Sequence, residues 1–202
     1  MASSGLQLLG YFLALIGLAA TVAATLMVEW KKQYQGKTYR IYEGLWMSCS
    51  GNERTTCEFH QYLLKLPPEV QATRAVMLVS IFLSFVALMV STVGMKCTRF
   101  MDGKAEFKST VAMIGGIMFL IAGLLTVTMT SWYVKKIVQI SYESHSLQSA
   151  EFGNAVFVSW AGSLFTMAGG AFLSCRRCSG SQTGSISSNH LLPTTHPKSN
   201  YV

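Results

Sequence analysis

The chain has 202 residues, half of them hydrophobic and only 12% charged, with a net charge of +7. A soluble domain carries roughly a quarter charged residues, and a disordered chain is poor in apolar ones, so neither class describes this sequence. The mean hydropathy of +0.36 points to a membrane protein.

Four apolar stretches contain no Asp, Glu, Lys or Arg: Met1–Val28, Ala75–Met95, Ser109–Val134 and Phe152–Cys175. About 20 residues at 1.5 Å rise cross a ~30 Å hydrocarbon layer, so each stretch is long enough for one transmembrane helix. The expected spans are residues 8–28, 75–95, 111–134 and 154–174. The first lacks a basic leader and exceeds a signal-peptide core in length, which favours a retained helix. Gly115-Gly116 and Gly169-Gly170 would weaken soluble helices but suit membrane spans, where glycine lets backbones approach. Around these spans lie a short N-terminus (1–7), a first loop (29–74), a connecting loop (96–110), a second loop (135–153) and a tail (175–202).

The first loop reads as a small β structure. Tyr39, Ile41, Leu45, Trp46 and Met47 are mostly strand-forming types, interrupted by Gly44 as at a bulge or bend. Ser50-Gly51-Asn52 is a turn signal. Thr55–Tyr62 then alternates, with Cys57, Phe59 and Gln61 on one face and Glu58, His60 and Tyr62 on the other. Seven residues separate Cys49 from Cys57, a spacing that suits a disulfide across a hairpin. Such a staple contributes ~2–3 kcal/mol in the chain-entropy account, and an isolated hairpin is marginal without one. Pro67-Pro68 ends the extended region, and Glu69–Arg74 leads into the second helix.

Basic residues do not settle sidedness: the two loops 29–74 and 135–153 carry nine, and the opposite side carries seven. The cysteines do. A Cys49–Cys57 disulfide needs an oxidising compartment. Cys97, Cys175 and Cys178 each lie just past a span beside Lys or Arg, where they are either cytosolic palmitoylation sites or free thiols. The first loop is therefore expected outside the cell and both termini inside.

The residues now become specific. Trp30, then Gly44-Leu45-Trp46, then Cys49 and Cys57 form a W…GLW…C…C pattern in the first outer loop of a four-span chain. This resembles the claudin family. Gly5–Gly10, Gln71-Ala72-Thr73-Arg74-Ala75, Gly94–Thr98, Ser131-Trp132-Tyr133 and Glu151-Phe152-Gly153 are similar to that family's helix borders, and Tyr201-Val202 to its scaffold-binding end. The resemblance implies a left-handed four-helix membrane bundle topped by an extracellular antiparallel β-sheet built from both outer loops. It implies tight-junction strands, in which the protein meets other claudins side by side and across the intercellular gap, forming a barrier or an ion-selective pore. A four-span regulator of the same superfamily is the alternative; the short second loop and the Tyr201-Val202 end favour a junction protein.

Departures from the pattern are local. The family usually places nine residues between the two cysteines, and its Phe-Tyr-Asp/Asn-Pro run in the second loop reads Ser141-Tyr142-Glu143-Ser144 here. Only Tyr142 remains of that assembly contact, and clostridial enterotoxin is not expected to bind. Leu63 stands about where the family uses an apolar knob for lateral assembly.

Enzymatic readings find no support. His60 and His145 are expected outside, His190 and His196 in the tail, and the single aspartate, Asp102, inside. No catalytic triad, paired carboxylates, metal-ligand spacing or phosphate loop emerges, so no cofactor or metal is expected. The basic balance is split across a membrane and faces lipid rather than nucleic acid. Glu58 is the sharpest candidate, because family pores carry a selectivity residue just after the second cysteine. Residues 30–74 hold seven basic and four acidic groups, net +3, so Glu58 favours cations only if it lines the narrowest point; Lys37 or Arg40 there would favour anions, and the alternative is that Glu58 pairs with Arg54 or Lys65. The polar tail from Ser179 onward is expected to be disordered, offering Tyr201-Val202 to a PDZ groove of zonula occludens scaffolds.

Overall fold

The computed structural model describes residues 2–35, 39–51, 56–60, 67–94, 105–143 and 149–174. Four helices, α1 (Ala2–Leu26), α2 (Pro68–Gly94), α3 (Ala105–Glu143) and α4 (Asn154–Ser174), are each long and apolar enough to cross a membrane. They pack in a ring, α1 on α4, α4 on α3 and α3 on α2, with a lighter α1–α2 contact closing it. Consecutive helices run in opposite directions. Leu6, Phe12, Ile16, Phe82, Phe85, Ile121 and Phe157 are exposed on the bundle surface, as lipid contact requires.

Small residues draw the helices together. Gly17 of α1 lies against the Gly162 carbonyl and the Thr166 backbone of α4, and Gly116 of α3 lies against the Gly170 carbonyl. These close approaches serve packing inside one bundle. Hydroxyls cross-link the seams: Thr130 Oγ1 and Ser159 Oγ are 2.9 Å apart, Ser80 Oγ and Thr126 Oγ1 2.7 Å, and Tyr11 Oη and Thr92 Oγ1 3.0 Å.

Three helix limits differ from the apolar runs, one of them the start of α3 at Ala105, six residues before the expected span. α2 starts at Pro68, seven residues before the expected span, with proline tolerated in the first turn and Glu69 favoured at the positive end. α3 continues past Val134 to Glu143, so the first half of the expected 135–153 loop is helix. Absence of charge marks membrane depth, whereas Lys135 and Lys136 are good helix formers in water. With 39 residues, α3 is about 58 Å long and exceeds the hydrocarbon thickness. Lys136 Nζ sits 5.8 Å from the Trp132 ring, pairing an amphipathic aromatic with a cation where the helix leaves the apolar region.

The two connections on one end of the bundle form a single antiparallel sheet. Its strands are β1 (Lys31–Gln35), β2 (Tyr39–Glu43), β3 (Met47–Gly51), β4 (Thr56–Phe59) and β5 (Ser149–Phe152), in the order β4-β3-β2-β1-β5. β1 is absent from the sequence reading, since Lys-Lys-Gln-Tyr-Gln has weak strand preference; it forms because β2 and β5 pair it on both sides. Of the two expectations for Gly44, a bulge or a bend, the bend is what forms. Gly44 opens the turn between β2 and β3, donating its N–H to the Met47 carbonyl.

Candidate functional site: the sheet and its seat on the bundle

The motif residues form the joint between sheet and helices. Trp30, Leu45, Met77, Tyr133, Ile137, Ala155 and Val156 make one buried cluster that draws on α2, α3, α4, the β2–β3 turn and the link from α1 to β1. Trp30 is fully buried, donates its indole N–H to the Ala24 carbonyl at 2.9 Å, and meets the Tyr133 ring edge-on at 5.6 Å. Gly44 fits because a Cβ there would lie 2.7 Å from the Val28 Cα, so glycine brings the turn flush against the end of α1. That approach inserts Leu45 into the cluster. Arg74, only 5% exposed, donates from Nε to the Leu45 carbonyl, and its guanidinium lies 5.1 Å from the Trp46 ring centre. Trp30 and Leu45 are buried in this joint, and Trp46 packs against it partly buried.

The second connection locks onto the same joint. Gly153 N donates to the Trp30 carbonyl at 3.2 Å and Ala155 N to the Glu29 carbonyl at 3.1 Å. Asn154 Nδ2 donates to Glu29 Oε2 at 2.8 Å, and Lys32 Nζ meets the same oxygen at 3.1 Å.

Cys49 and Cys57 are joined in a disulfide between directly opposed residues of β3 and β4. The register then sorts charge by face, because residues paired across strands share one side of the sheet. One row runs Glu58, Ser48, Glu43, Lys31, Phe152; the next on the other face runs Cys57, Cys49, Tyr42, Lys32, Glu151. Among the described strand residues, the first face carries Glu58, Glu43 and Lys31, and the second carries Lys32, Arg40 and Glu151. The faces thus differ in sign, net −1 against +1. Two of the loop's seven basic residues are paired: Lys31 with Glu43 at 3.1 Å, and Lys32 with Glu29 at 3.1 Å. Neither pair was foreseen, because β1 was not.

Glu58 stands exposed on β4, an edge of the sheet, and takes part in neither ion pair between described residues. Arg54 and Lys65, its alternative partners, lie outside the described residues. So do Leu63, Tyr201, Val202, Cys97, Cys175 and Cys178. Tyr142 lies in the last turn of α3 and is 81% exposed. Among the described residues no cluster of three or more His, Cys, Asp or Glu is poised to hold a metal.

A four-helix membrane protein with a disulfide-stapled sheet seated on one end is the class that this arrangement defines. The profile of the PMP-22/EMP/MP20/Claudin family matches residues 4–173. Claudin-19 of Mus musculus is 45% identical over 184 residues, covering 87% of this chain and 82% of its own. Claudin-7 of Mus musculus is 40% identical over 209 residues, covering 99% and 97%, and claudin-1 of Rattus norvegicus is 42% identical over 184, covering 87% of each. The chain belongs to the PMP-22/EMP/MP20/Claudin family, as a claudin-type multi-pass protein of the tight-junction membrane.

Proposed function

We propose that this protein is a non-enzymatic, strand-forming adhesion component of tight junctions whose sheet lies outside the cell and lines a cation-preferring paracellular pore through Glu58. A stapled sheet on the end opposite the start of α1 and the end of α4 supports the sidedness, because disulfides persist in oxidising compartments. The observation that carries the pore reading is the segregation of charge: Glu58 is an exposed carboxylate on the net-negative face. A cation at 4 Å gains ~1 kcal/mol in water and ~4 kcal/mol at an effective dielectric of about 20. Tenfold selectivity needs only ~1.4 kcal/mol. In epithelial layers expressing Glu58→Gln, dilution potentials are expected to show a several-fold fall in sodium-to-chloride permeability; an unchanged ratio refutes the pore assignment.

Partners follow from the same reading. Other claudins meet this chain in cis and in trans, with Leu63 and the exposed Tyr142 serving lateral assembly. Expression in cells without junction strands tests this: polymers at cell contacts support it, and a diffuse signal contradicts it. Tyr201 and Val202 bind PDZ domains of zonula occludens scaffolds by β-augmentation, which requires a free terminal carboxylate. One residue added after Val202 is expected to abolish capture by a purified PDZ domain; retained capture refutes the assignment. Cys97, Cys175 and Cys178 are proposed palmitoylation sites, adding acyl anchors beside the bilayer.

A further inference from the structure

Glu58 shares its row with a second carboxylate that a lysine holds in check. Ser48 separates Glu58 from Glu43 in the row, so the two glutamates stand two strand intervals apart, about 10 Å between backbones. That is close to the ~8 Å screening length at physiological salt, so a free Glu43 carboxylate would add to the field around Glu58. It is not free. Lys31 Nζ lies 3.1 Å from Glu43 Oε2, and the pair is asymmetric: the lysine side chain is 15% exposed and the glutamate 42%. The ammonium is tucked into the sheet while the carboxylate reaches water. Residue 31 directly opposes residue 43 in the β1–β2 register, so the pair is fixed by strand pairing.

We infer that Lys31 sets the charge selectivity of this face by cancelling Glu43, leaving Glu58 as the single uncompensated charge among its described residues. The inference rests on the reading of that face as pore lining. Ion selectivity here is a sum over three groups, and the pair is a setting that one substitution moves in either direction.

The cycle of variants is Lys31→Met, Glu43→Gln and both together, with Lys31→Arg as the charge-preserving control and Glu58→Gln as the test of the pore itself. Each is expressed as the full chain in an epithelial layer, surface amount is measured by biotinylation, and sodium-to-chloride permeability is taken from dilution potentials. Lys31→Met is expected to raise the ratio about twofold and Glu43→Gln to lower it about twofold, as a unit charge some 10 Å away implies. The double variant is expected to return to the wild-type ratio, and Lys31→Arg to keep it. A merely structural ion pair predicts something else: both single variants lose surface protein and conductance while the ratio stays fixed. The inference is overturned, and the pore reading kept, if Glu58→Gln lowers the ratio while Lys31→Met and Glu43→Gln leave it unmoved or shift it the same way. A double variant that stays at a single-variant value also overturns it. A ratio that no variant moves, Glu58→Gln included, overturns both readings.

Discussion

Replacing Gly153 with alanine is expected to lower the melting temperature of the purified protein by roughly 6–12 °C and to detach β5 from β1. A Cβ at residue 153 would lie 1.7 Å from the Glu29 carbonyl oxygen, 2.3 Å from its carbon and 3.0 Å from Trp30 N. All three are backbone atoms, so no side chain can rotate away. The neighbouring hydrogen bonds, Gly153 N to Trp30 O and Ala155 N to Glu29 O, hold the two backbones at that distance. Relief demands breaking one or both, and with them the Lys31–Phe152 and Lys32–Glu151 pairings that follow. The cost is placed at the top of the usual overpacking range, about 3 kcal/mol, and for a chain of this length each kcal/mol is about 2–4 °C. Gly5→Ala is the matched control, because a Cβ there meets nothing within 4 Å and the melting temperature is expected to hold. A Gly153→Ala protein that melts with the wild type in detergent contradicts the tight joint between α4 and the end of α1.

The bundle was legible in the sequence because a single physical quantity marks it. A run without charge that is long enough to cross a bilayer has few other uses, and all four such runs are helical. Helix ends were less legible, since water does not stop a helix as it stops a membrane span; Pro68 and the run Lys135–Glu143 show the difference. The sheet was half legible. β3 and β4 carry the cysteine pair and a turn signal between them, so their hairpin could be read locally. β1 could not: its residues are polar, and its strand state comes from partners 4–12 residues later in β2 and over a hundred residues later in β5.

The site shows the same division. Trp30, Leu45, Trp46 and Arg74 were visible as a pattern, yet their joint action depends on Arg74 reaching 29 residues back to the Leu45 carbonyl. Glu58 was visible as a position, but its electrostatic setting was not, because the net +3 over residues 30–74 leaves out Glu29 and does not say which charges pair or which face of the sheet they share. Lys31 and Lys32 are neutralised by Glu43 and Glu29, and Arg74 is buried beneath the turn that it holds. Such pairs follow from strand register, which a polar β1 conceals. Which charges stay free on the sheet is thus decided by which ones strand register has already paired.

That dependence gives Trp30→Ala the largest expected effect on stability, about 3–5 kcal/mol. The indole is fully buried at the centre of the cluster, so its loss removes the edge contact with Tyr133 and opens a void beside Leu45, Met77 and Val156. It also removes a cap. The Ala24 carbonyl lies in the last turn of α1, where the helix no longer supplies its own donor, and the Trp30 indole N–H fills that place at 2.9 Å. Trp30→Phe separates the two contributions: a ring remains to pack, but the carbonyl loses its buried donor, at about 1–3 kcal/mol. Thermal unfolding in detergent is expected to rank wild type above Trp30→Phe and Trp30→Ala lowest. Trp30→Ala should also expose the Lys31–Glu43 row to disorder, because β1 begins at the residue after the missing ring. Equal melting temperatures for Trp30→Phe and wild type remove the capping role. A Trp30→Ala protein as stable as wild type, with the Cys49–Cys57 bond intact, removes the joint itself.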